Sequence, residues 1–254
     1  MILDSKLFEP DTISHSEYAY CFKIDEHFIP SNGNTLHGQY LHHQGDTESK
    51  GLIIHFHGNA KNITSHITHV DWLPKHGYDV FIFDYSGYGS SSGTPSRKRL
   101  VQNGIDILKY IAKNFDTPKK MIVIGQSLGA SIACATISNS DTKIDHLILN
   151  SAFPSFRQIV KHHIQKKFKS QLASTFIPIF ISEKYDLKDT IKKIRSRILV
   201  LHGTRDDITP FRFGKEISRL CNCTFWQSDS GHTQLFRESE EFRNKLLLWL
   251  DESR

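Results

Sequence analysis

The sequence predicts an α/β fold: a doubly wound, mostly parallel sheet with an antiparallel hairpin before it and a short helical lid. Two observations predict the sheet and the hairpin. After residue 50, short continuous apolar runs alternate with helical patterns, and before residue 50 two alternating runs lie close together. The third observation is the stretch 151–196, which is far longer than an ordinary connection and predicts an insertion. We expect a single domain over residues 1–254, with this insertion as its lid.

The predicted parallel strands are short, apolar and uninterrupted, as helices on both faces of a sheet require. They cover residues 51–56, 79–84, 121–124, 146–149, 198–201 and 224–226. The runs 22–30 and 36–42 alternate instead and predict the antiparallel hairpin, at the sheet edge.

Helical patterns fill the segments between these strands. They predict helices over 62–76, 96–113, 128–138, 210–220 and 233–250. Gly77 follows the first helix and Pro95 lies near the start of the second, where such residues end and begin helices.

Within the insertion, apolar residues recur every four positions and predict an amphipathic helix. The apolar positions are Phe156, Val160, Ile164, Phe168 and Leu172, joined by Ile159. The basic positions are Arg157, Lys161, Lys166, Lys167 and Lys169. We expect Phe156, Val160 and Phe168 to contact substrate, while the basic face is either simply solvated or meets anionic lipid headgroups. Residues 175–181 are apolar and either line an acyl pocket or form ordinary core.

Charge and composition exclude several classes of protein. The formal net charge of +5 is mild, and with no recognition module beside it we expect no nucleic-acid partner. Four cysteines are too few for a disulfide scaffold and are expected to be reduced thiols. The residues after Met1 do not resemble a signal peptide, and no run of about 20 apolar residues occurs. The expected location is cytoplasmic, with peripheral contact at an anionic membrane surface through the lid.

The motif Gly125-Gln126-Ser127-Leu128-Gly129 directly follows a predicted strand and precedes a predicted helix. A serine at such a turn has strained backbone angles and projects its Oγ above the sheet, and glycine on each side gives the turn room. The pattern therefore predicts that Ser127 is a nucleophile.

The loop after the first parallel strand is expected to supply an oxyanion hole. The backbone N–H of Asn59, with Ala60 as second choice, would act together with the N–H of Leu128. His55 and His57 lie two apart on the strand before this loop and form at most half of a metal site. We expect no metal and no cofactor, and we interpret His57 as a structural hydrogen-bonding residue.

The serine needs a base and a carboxylate that orients this base. His232 is the single histidine after residue 202 and follows a predicted strand. The carboxylate is expected just after the preceding strand, where Asp206 is preferred to Asp207; Asp229 is a third candidate, close to His232 in the chain. The order serine, aspartate, histidine is typical of this architecture.

Five segments together resemble the α/β-hydrolase superfamily. They are residues 57–60, 84–93, 125–129, 202–206 and 231–232. The Asp-Tyr-Ser-Gly-Tyr-Gly loop from Asp84 resembles the abhydrolase-domain branch, which includes protein depalmitoylases and chains labelled serine aminopeptidase-like. The resemblance covers about residues 20–250. It implies the catalytic residues Ser127, His232 and Asp206, with Asn59 and Leu128 as oxyanion donors.

From these features we expect a serine hydrolase that cleaves carboxylic esters or thioesters of acyl-type substrates through an acyl-enzyme. A peptidase that releases N-terminal residues is the alternative and would need an acidic recess for the amine of its substrate. A catalytically inactive binding module is the third hypothesis, and the presence of all three candidate catalytic residues disfavours it.

Overall fold

The structure is a computed structural model that describes residues 7–15, 20–168, 181–232 and 239–252. The strands are β1 (Glu9–Pro10), β2 (Ile24–Ser31), β3 (Asn34–Leu41), β4 (Leu52–Phe56), β5 (Ala60–Lys61), β6 (Asp79–Phe83), β7 (Met121–Gln126), β8 (His146–Asn150), β9 (Arg197–Gly203) and β10 (Cys223–Ser228). The helices are α1 (Ile63–His66), α2 (Arg97–Asn114), α3 (Leu128–Ser138), α4 (Phe156–Phe168), α5 (Leu187–Thr190), α6 (Phe211–Ser218) and α7 (Glu240–Asp251).

Eight strands form one sheet in the order β10-β9-β8-β7-β4-β6-β3-β2. The pairs β2–β3 and β3–β6 are antiparallel, and the other pairs of this sheet are parallel. The predicted α/β class, with its mostly parallel sheet and its edge hairpin, is therefore confirmed. The hairpin turns through Asn32 and Gly33, both with positive φ (46° and 77°), as a tight two-residue turn requires.

The central strands β4, β6, β7 and β8 are buried on both faces, which explains why these strands have no polar side. On one face, Ile54 and Val123 pack with apolar residues of α2 and α3. On the other, Ile53 and Ile122 pack with the segment around α1 and with α7. Each parallel strand therefore contributes apolar residues to both layers, as continuous apolar runs predict.

The prediction of one helix over 62–76 is wrong. Asn62 caps the four-residue α1, with its side chain accepting the N–H of Thr64 at 3.0 Å. Two short 3-10 turns then replace the rest of the helix, Ile67–His69 and Pro74–His76. Proline has no N–H to donate, and its ring clashes with the carbonyl four residues earlier, so Pro74 begins a new turn instead of continuing the old one.

The last helix also differs from its prediction over 233–250. Residues 233–238 lie outside the described residues, and α7 begins only at Glu240. Ser239 before it is extended (φ −119°, ψ 103°), and its side chain accepts the N–H of Phe242 at 3.2 Å. This is the behaviour of an N-cap residue, so a helix cannot run through Ser239. In the described part of the chain, no helix has both the length and the apolarity that crossing a bilayer demands.

Candidate active site

Ser127 lies at a sharp turn between β7 and α3, as the sequence motif predicts. Its backbone is strained (φ 53°, ψ −114°), and the side chain is nearly buried. Gly125 and Gly129 are required because a Cβ on either would collide with backbone, 2.6 Å from Cα of Ala130 and 2.0 Å from the carbonyl oxygen of Phe56 respectively. The second contact presses the start of α3 against the end of β4.

Asp206 and His232 form a hydrogen-bonded pair at the same edge of the sheet. Oδ2 of Asp206 lies 2.8 Å from Nδ1 of His232. The two loops that carry them approach closely at Gly203, where a Cβ would lie 2.3 Å from the carbonyl oxygen of Ser230. Glycine at the end of β9 therefore lets the histidine loop fold over the aspartate.

The surroundings of Asp206 keep it ionised. Its side chain is buried, and it accepts the N–H groups of Ile208 at 3.0 Å and Thr209 at 2.8 Å. Burial alone would raise the pKa of Asp206, but the hydrogen bond and charge of His232 and the two donors of Thr209 outweigh it and lower the pKa to about 2. A permanent carboxylate here can hold the Nδ1–H tautomer of His232 and stabilise its imidazolium.

The two other candidate carboxylates face elsewhere. Asp207 is exposed and binds Nζ of Lys166 at 2.9 Å. Asp229 is exposed and pairs with Nε of Arg205 at 2.9 Å. The geometry thus favours Asp206 among the three.

Thr209 and Ser151 connect the loops that carry the candidate catalytic residues, and sequence analysis missed both. The hydroxyl oxygen of Thr209 lies 2.9 Å from Ser151 O and 3.1 Å from Nδ1 of His232. Ser151 has positive φ (51°), and its hydroxyl donates to His232 O at 3.0 Å. The N–H of Ser127 in turn donates to Asn150 O at 2.9 Å. This chain of contacts links Ser127, Asp206 and His232 across the ends of the four neighbouring strands β7, β8, β9 and β10.

The candidate oxyanion loop lies against the start of α3. The N–H of Leu128, in the first turn of this helix, has no acceptor within the helix. The side chain of Asn59 is fixed at both ends: its amide donates to Leu7 O at 3.1 Å, and its oxygen accepts the hydroxyl of Tyr88 at 3.1 Å. Ala60, the second-choice donor, is paired in β5.

The segment before residue 12 also builds this loop, which sequence analysis did not foresee. Strand β1 pairs in parallel with β5, placing Glu9 opposite Ala60. The carbonyl of Asp11 accepts the N–H of Gly89 at 2.9 Å. A two-residue strand has no periodic pattern, so no sequence signal marks it.

His57 lies below the loop, completely buried. Its Nδ1 is 2.8 Å from Gly58 O, and its Nε2 is 3.6 Å from Oδ1 of Asp84. Burial, with the neighbouring His66, lowers the pKa of His57 well below its usual value, so the ring is neutral. Asp84 is buried too and accepts the N–H of Ile63 at 2.9 Å. These contacts agree with the interpretation of His57 as a structural residue. Over the described ranges, no three side chains of the types that bind metals are grouped to hold an ion.

The lid helix α4 is attached to the domain through both of its faces. Phe156 is buried beneath the guanidinium of Arg97, 5.0 Å from the ring centre, and Val160 is half-buried beside the core. Phe168 ends α4, and its side chain lies outside the described part, as do Lys169, Leu172 and residues 175–180. The basic face is not uniformly solvated: Arg157 pairs with Glu183 at 3.0 Å, and Lys166 pairs with Asp207. Lys161 and Lys167 are exposed.

Known proteins resemble this chain in sequence and in fold. Uncharacterized protein YfhR of Salmonella typhimurium is 30% identical over 210 residues, which cover 76% of this chain and 68% of that protein. Lysophosphatidylserine lipase ABHD12 of Macaca fascicularis is 30% identical over 180 residues, 66% of this chain and 45% of that protein. Among solved structures, the esterase Pf2001 of Pyrococcus furiosus superposes with a TM-score of 0.76 at 20% identity, over 96% of both chains.

The family match covers the first half of the site. Residues 47–189 match the family described as serine aminopeptidase, S33, and this range contains the candidate oxyanion loop, the serine turn and the start of the lid. The second half, with Asp206 and His232, lies beyond the matched range. Together with the sheet order and the turn at Ser127, the match shows that this chain is a hydrolase that belongs to the serine aminopeptidase S33 family of the α/β-hydrolase superfamily.

Proposed function

We propose that this hydrolase cleaves carboxylic esters or thioesters through an acyl-enzyme, with Ser127 as nucleophile, His232 as base and Asp206 as the orienting carboxylate. The observation that carries the proposal is the 2.8 Å contact between the buried Asp206 and His232, at the same sheet edge as the strained turn of Ser127. A carboxylate, an imidazole and a serine hydroxyl in this order are what acyl transfer needs.

Each residue has one task in the proposed reaction. Oγ of Ser127 attacks the acyl carbon while His232 takes its proton, and the N–H groups of Leu128 and Asn59 hold the oxyanion of the tetrahedral intermediate. The imidazolium then gives the proton to the departing alkoxide or thiolate. Water, deprotonated by His232, attacks the acyl-serine and releases a carboxylic acid, which restores the free Ser127.

The substrate class we propose is an acyl chain presented at an anionic lipid surface. Two findings support it: a relative is named as a lysophosphatidylserine lipase, and α4 carries exposed lysines above the site. Phe156, Val160 and Phe168 remain our candidates for contacts with the acyl chain. Phe156 is already packed in the core, so it would contact the chain as part of the pocket floor.

One observation favours a second candidate, a peptidase. Glu9 is exposed and lies opposite Ala60, next to the candidate oxyanion loop. A carboxylate there is suited to the ammonium group of a peptide N-terminus. A binding module without activity is disfavoured, since such a module has no need for a buried Asp206 paired with His232.

The test is a substrate panel combined with labelling of the serine. We expect a fluorophosphonate to label the wild-type protein and not Ser127→Ala, whereas Ser138→Ala, at the other end of α3, is labelled normally. Turnover of nitrophenyl esters is expected to fall at least about a thousandfold in Ser127→Ala, because the nucleophile and its base act as a unit.

The panel contains nitrophenyl esters of rising chain length, acyl thioesters and aminoacyl amides. A preference for aminoacyl amides would move the assignment to the peptidase. Full labelling of Ser127→Ala would remove Ser127 as the nucleophile.

A further inference from the structure

A cavity lies at the other end of the parallel strands from Ser127. It has a volume of about 690 Å³ and opens beside the first residues of β9 and β10. Cys221 and Cys223 both line it, together with Lys192, Arg195 and Arg197. Since β9 runs from this cavity to Gly203 near Asp206, roughly 20 Å of strand separates the two places.

The two thiols lie together at the end of α6. Sγ of Cys221 is 3.8 Å from Ile217 O and Sγ of Cys223 is 3.6 Å from Ser218 O, and these carbonyls are neighbours in the chain. The Cys221 thiol also lies within hydrogen-bonding reach of Cys223. Two residues apart, their Cα atoms are separated by at most about 7 Å, and the chain bends at Cys221 and Asn222, which shortens that distance towards the range of disulfides.

Access and charge distinguish this pair from the other cysteines. Both members are half-exposed, whereas Cys134 is buried and burial raises its pKa. Cys223 differs from Cys221 because the hydrogen bond from the Cys221 thiol lowers the pKa of Cys223. Lys192 and Arg195 are exposed cations in the cavity wall and attract anions.

We propose that Cys221 and Cys223 form a dithiol site that is oxidised to a disulfide by small anionic disulfides of the glutathione class. The Cys223 thiolate attacks one sulfur of the small disulfide, forming a mixed disulfide and releasing one thiolate. The Cys221 sulfur then attacks Sγ of Cys223, and the second small thiol leaves. Two protein thiols become one disulfide, the small disulfide becomes two thiols, and the two protons pass to these products.

The test uses a Cys21→Ser background, since Cys21 is exposed and would react by itself. The folded protein is incubated with oxidised glutathione and digested with trypsin, and the masses of the peptides are measured by mass spectrometry. Both cysteines fall in the peptide 220–237, which holds no other cysteine. We expect this peptide to lose two hydrogens without keeping glutathione.

Two further variants separate the roles of the two sulfurs. Adding Cys221→Ser is expected to trap one glutathione on Cys223. Adding Cys223→Ser is expected to slow the first step by about tenfold or more, because the thiol whose pKa is lowered is then absent. Cys134→Ser, a buried control, leaves the reaction unchanged. Stable glutathione adducts on the intact pair, or closure no faster than reaction at Cys134, would overturn the proposal.

Discussion

Asp206 and Asp207 are neighbours in the chain but lie in opposite environments. Asp206 is buried and accepts hydrogen bonds from Thr209 and His232, whereas Asp207 is exposed and holds Lys166. In the sequence, the turn that carries both residues was identified because it directly follows a predicted strand. The choice between two adjacent carboxylates depends on which one meets the donors of Thr209, and those contacts have no periodic signature.

We expect Asp206→Asn to reduce kcat/KM for a nitrophenyl ester by about 10³–10⁴, because the amide no longer enforces the reactive tautomer of His232 and leaves the imidazolium without its partner. Asp207→Asn, the matched control, is expected to stay within about threefold of wild type, since it loses only an exposed ion pair. Steady-state kinetics on both variants decides the matter. If Asp207→Asn loses ester hydrolysis while Asp206→Asn keeps it, the orienting role belongs to Asp207 instead of Asp206.

At the scale of elements, the base of the lid depends on a buried acid. Asp186 precedes α5 and is fully buried, and its Oδ1 accepts the N–H of Phe156, the first residue of α4, at 3.1 Å. Its Oδ2 has no hydrogen-bond partner among the residues that the structure describes. Burial raises the pKa of Asp186 to about 6, even though the Phe156 N–H and the nearby Lys188 and Arg97 favour its charged form.

This acid predicts that stability decreases with pH. Because the folded pKa of about 6 lies above the usual 3.8, the folded state binds more protons between these values, and the free energy of unfolding falls as pH rises through them. Asp186→Asn keeps the acceptor for Phe156 without the buried charge. We expect it to be more stable than wild type by about 1–3 kcal/mol at pH 8 and nearly equal to it near pH 3, below the usual pKa of an aspartate.

Urea denaturation at the two pH values measures this difference. Asp189→Asn, on the exposed side of α5, is the control and is expected to change stability little at either pH. A stability gain in Asp186→Asn that is the same at both pH values would mean that the carboxyl is not protonated on folding.

The elements that sequence reasoning placed well are those that carry their own signal. Continuous apolar runs identified the parallel strands, and the helix 128–138 was predicted with the bounds it has. Errors arose where a local residue overrides a helical pattern, at Pro74 and at Ser239. The pairing of β1 with β5 and the attachment of Lys166 to Asp207 join distant parts of the chain, so their local sequence contains no trace of them.

For the molecule as a whole, the surface around the lid is where we expect contact with lipid. The exposed Lys161 and Lys167 of α4, together with Lys169 beyond the described part, are the cations that this prediction changes. Each lysine near an anionic surface contributes about 1 kcal/mol, less in salt. The triple change to glutamine is expected to weaken sedimentation with phosphatidylserine vesicles by about tenfold to a hundredfold at low ionic strength.

Hydrolysis of a soluble butyrate ester by this variant is expected to stay near the wild-type rate, since none of the three lysines belongs to the proposed catalytic machinery. The matched control changes Lys98, Lys109 and Lys113 on α2, which are exposed on a different helix. Equal loss of vesicle binding in both variants would point to net charge rather than to the lid. If the wild-type protein does not sediment with the vesicles, the lid has no role in lipid binding and only covers the site.

The order of strands in the sheet bears on the synthesis of the chain. After β4, β6 and β7 have paired, β8, β9 and β10 are each added beside the strand made just before, so the sheet can grow at one edge as the polypeptide leaves the ribosome. In this order of strand addition, Ser127 is positioned early, whereas His232 follows the last strand. With Ser127 as the proposed nucleophile and His232 as the proposed base, we expect a nascent chain to be inactive until the loop after β10 has emerged.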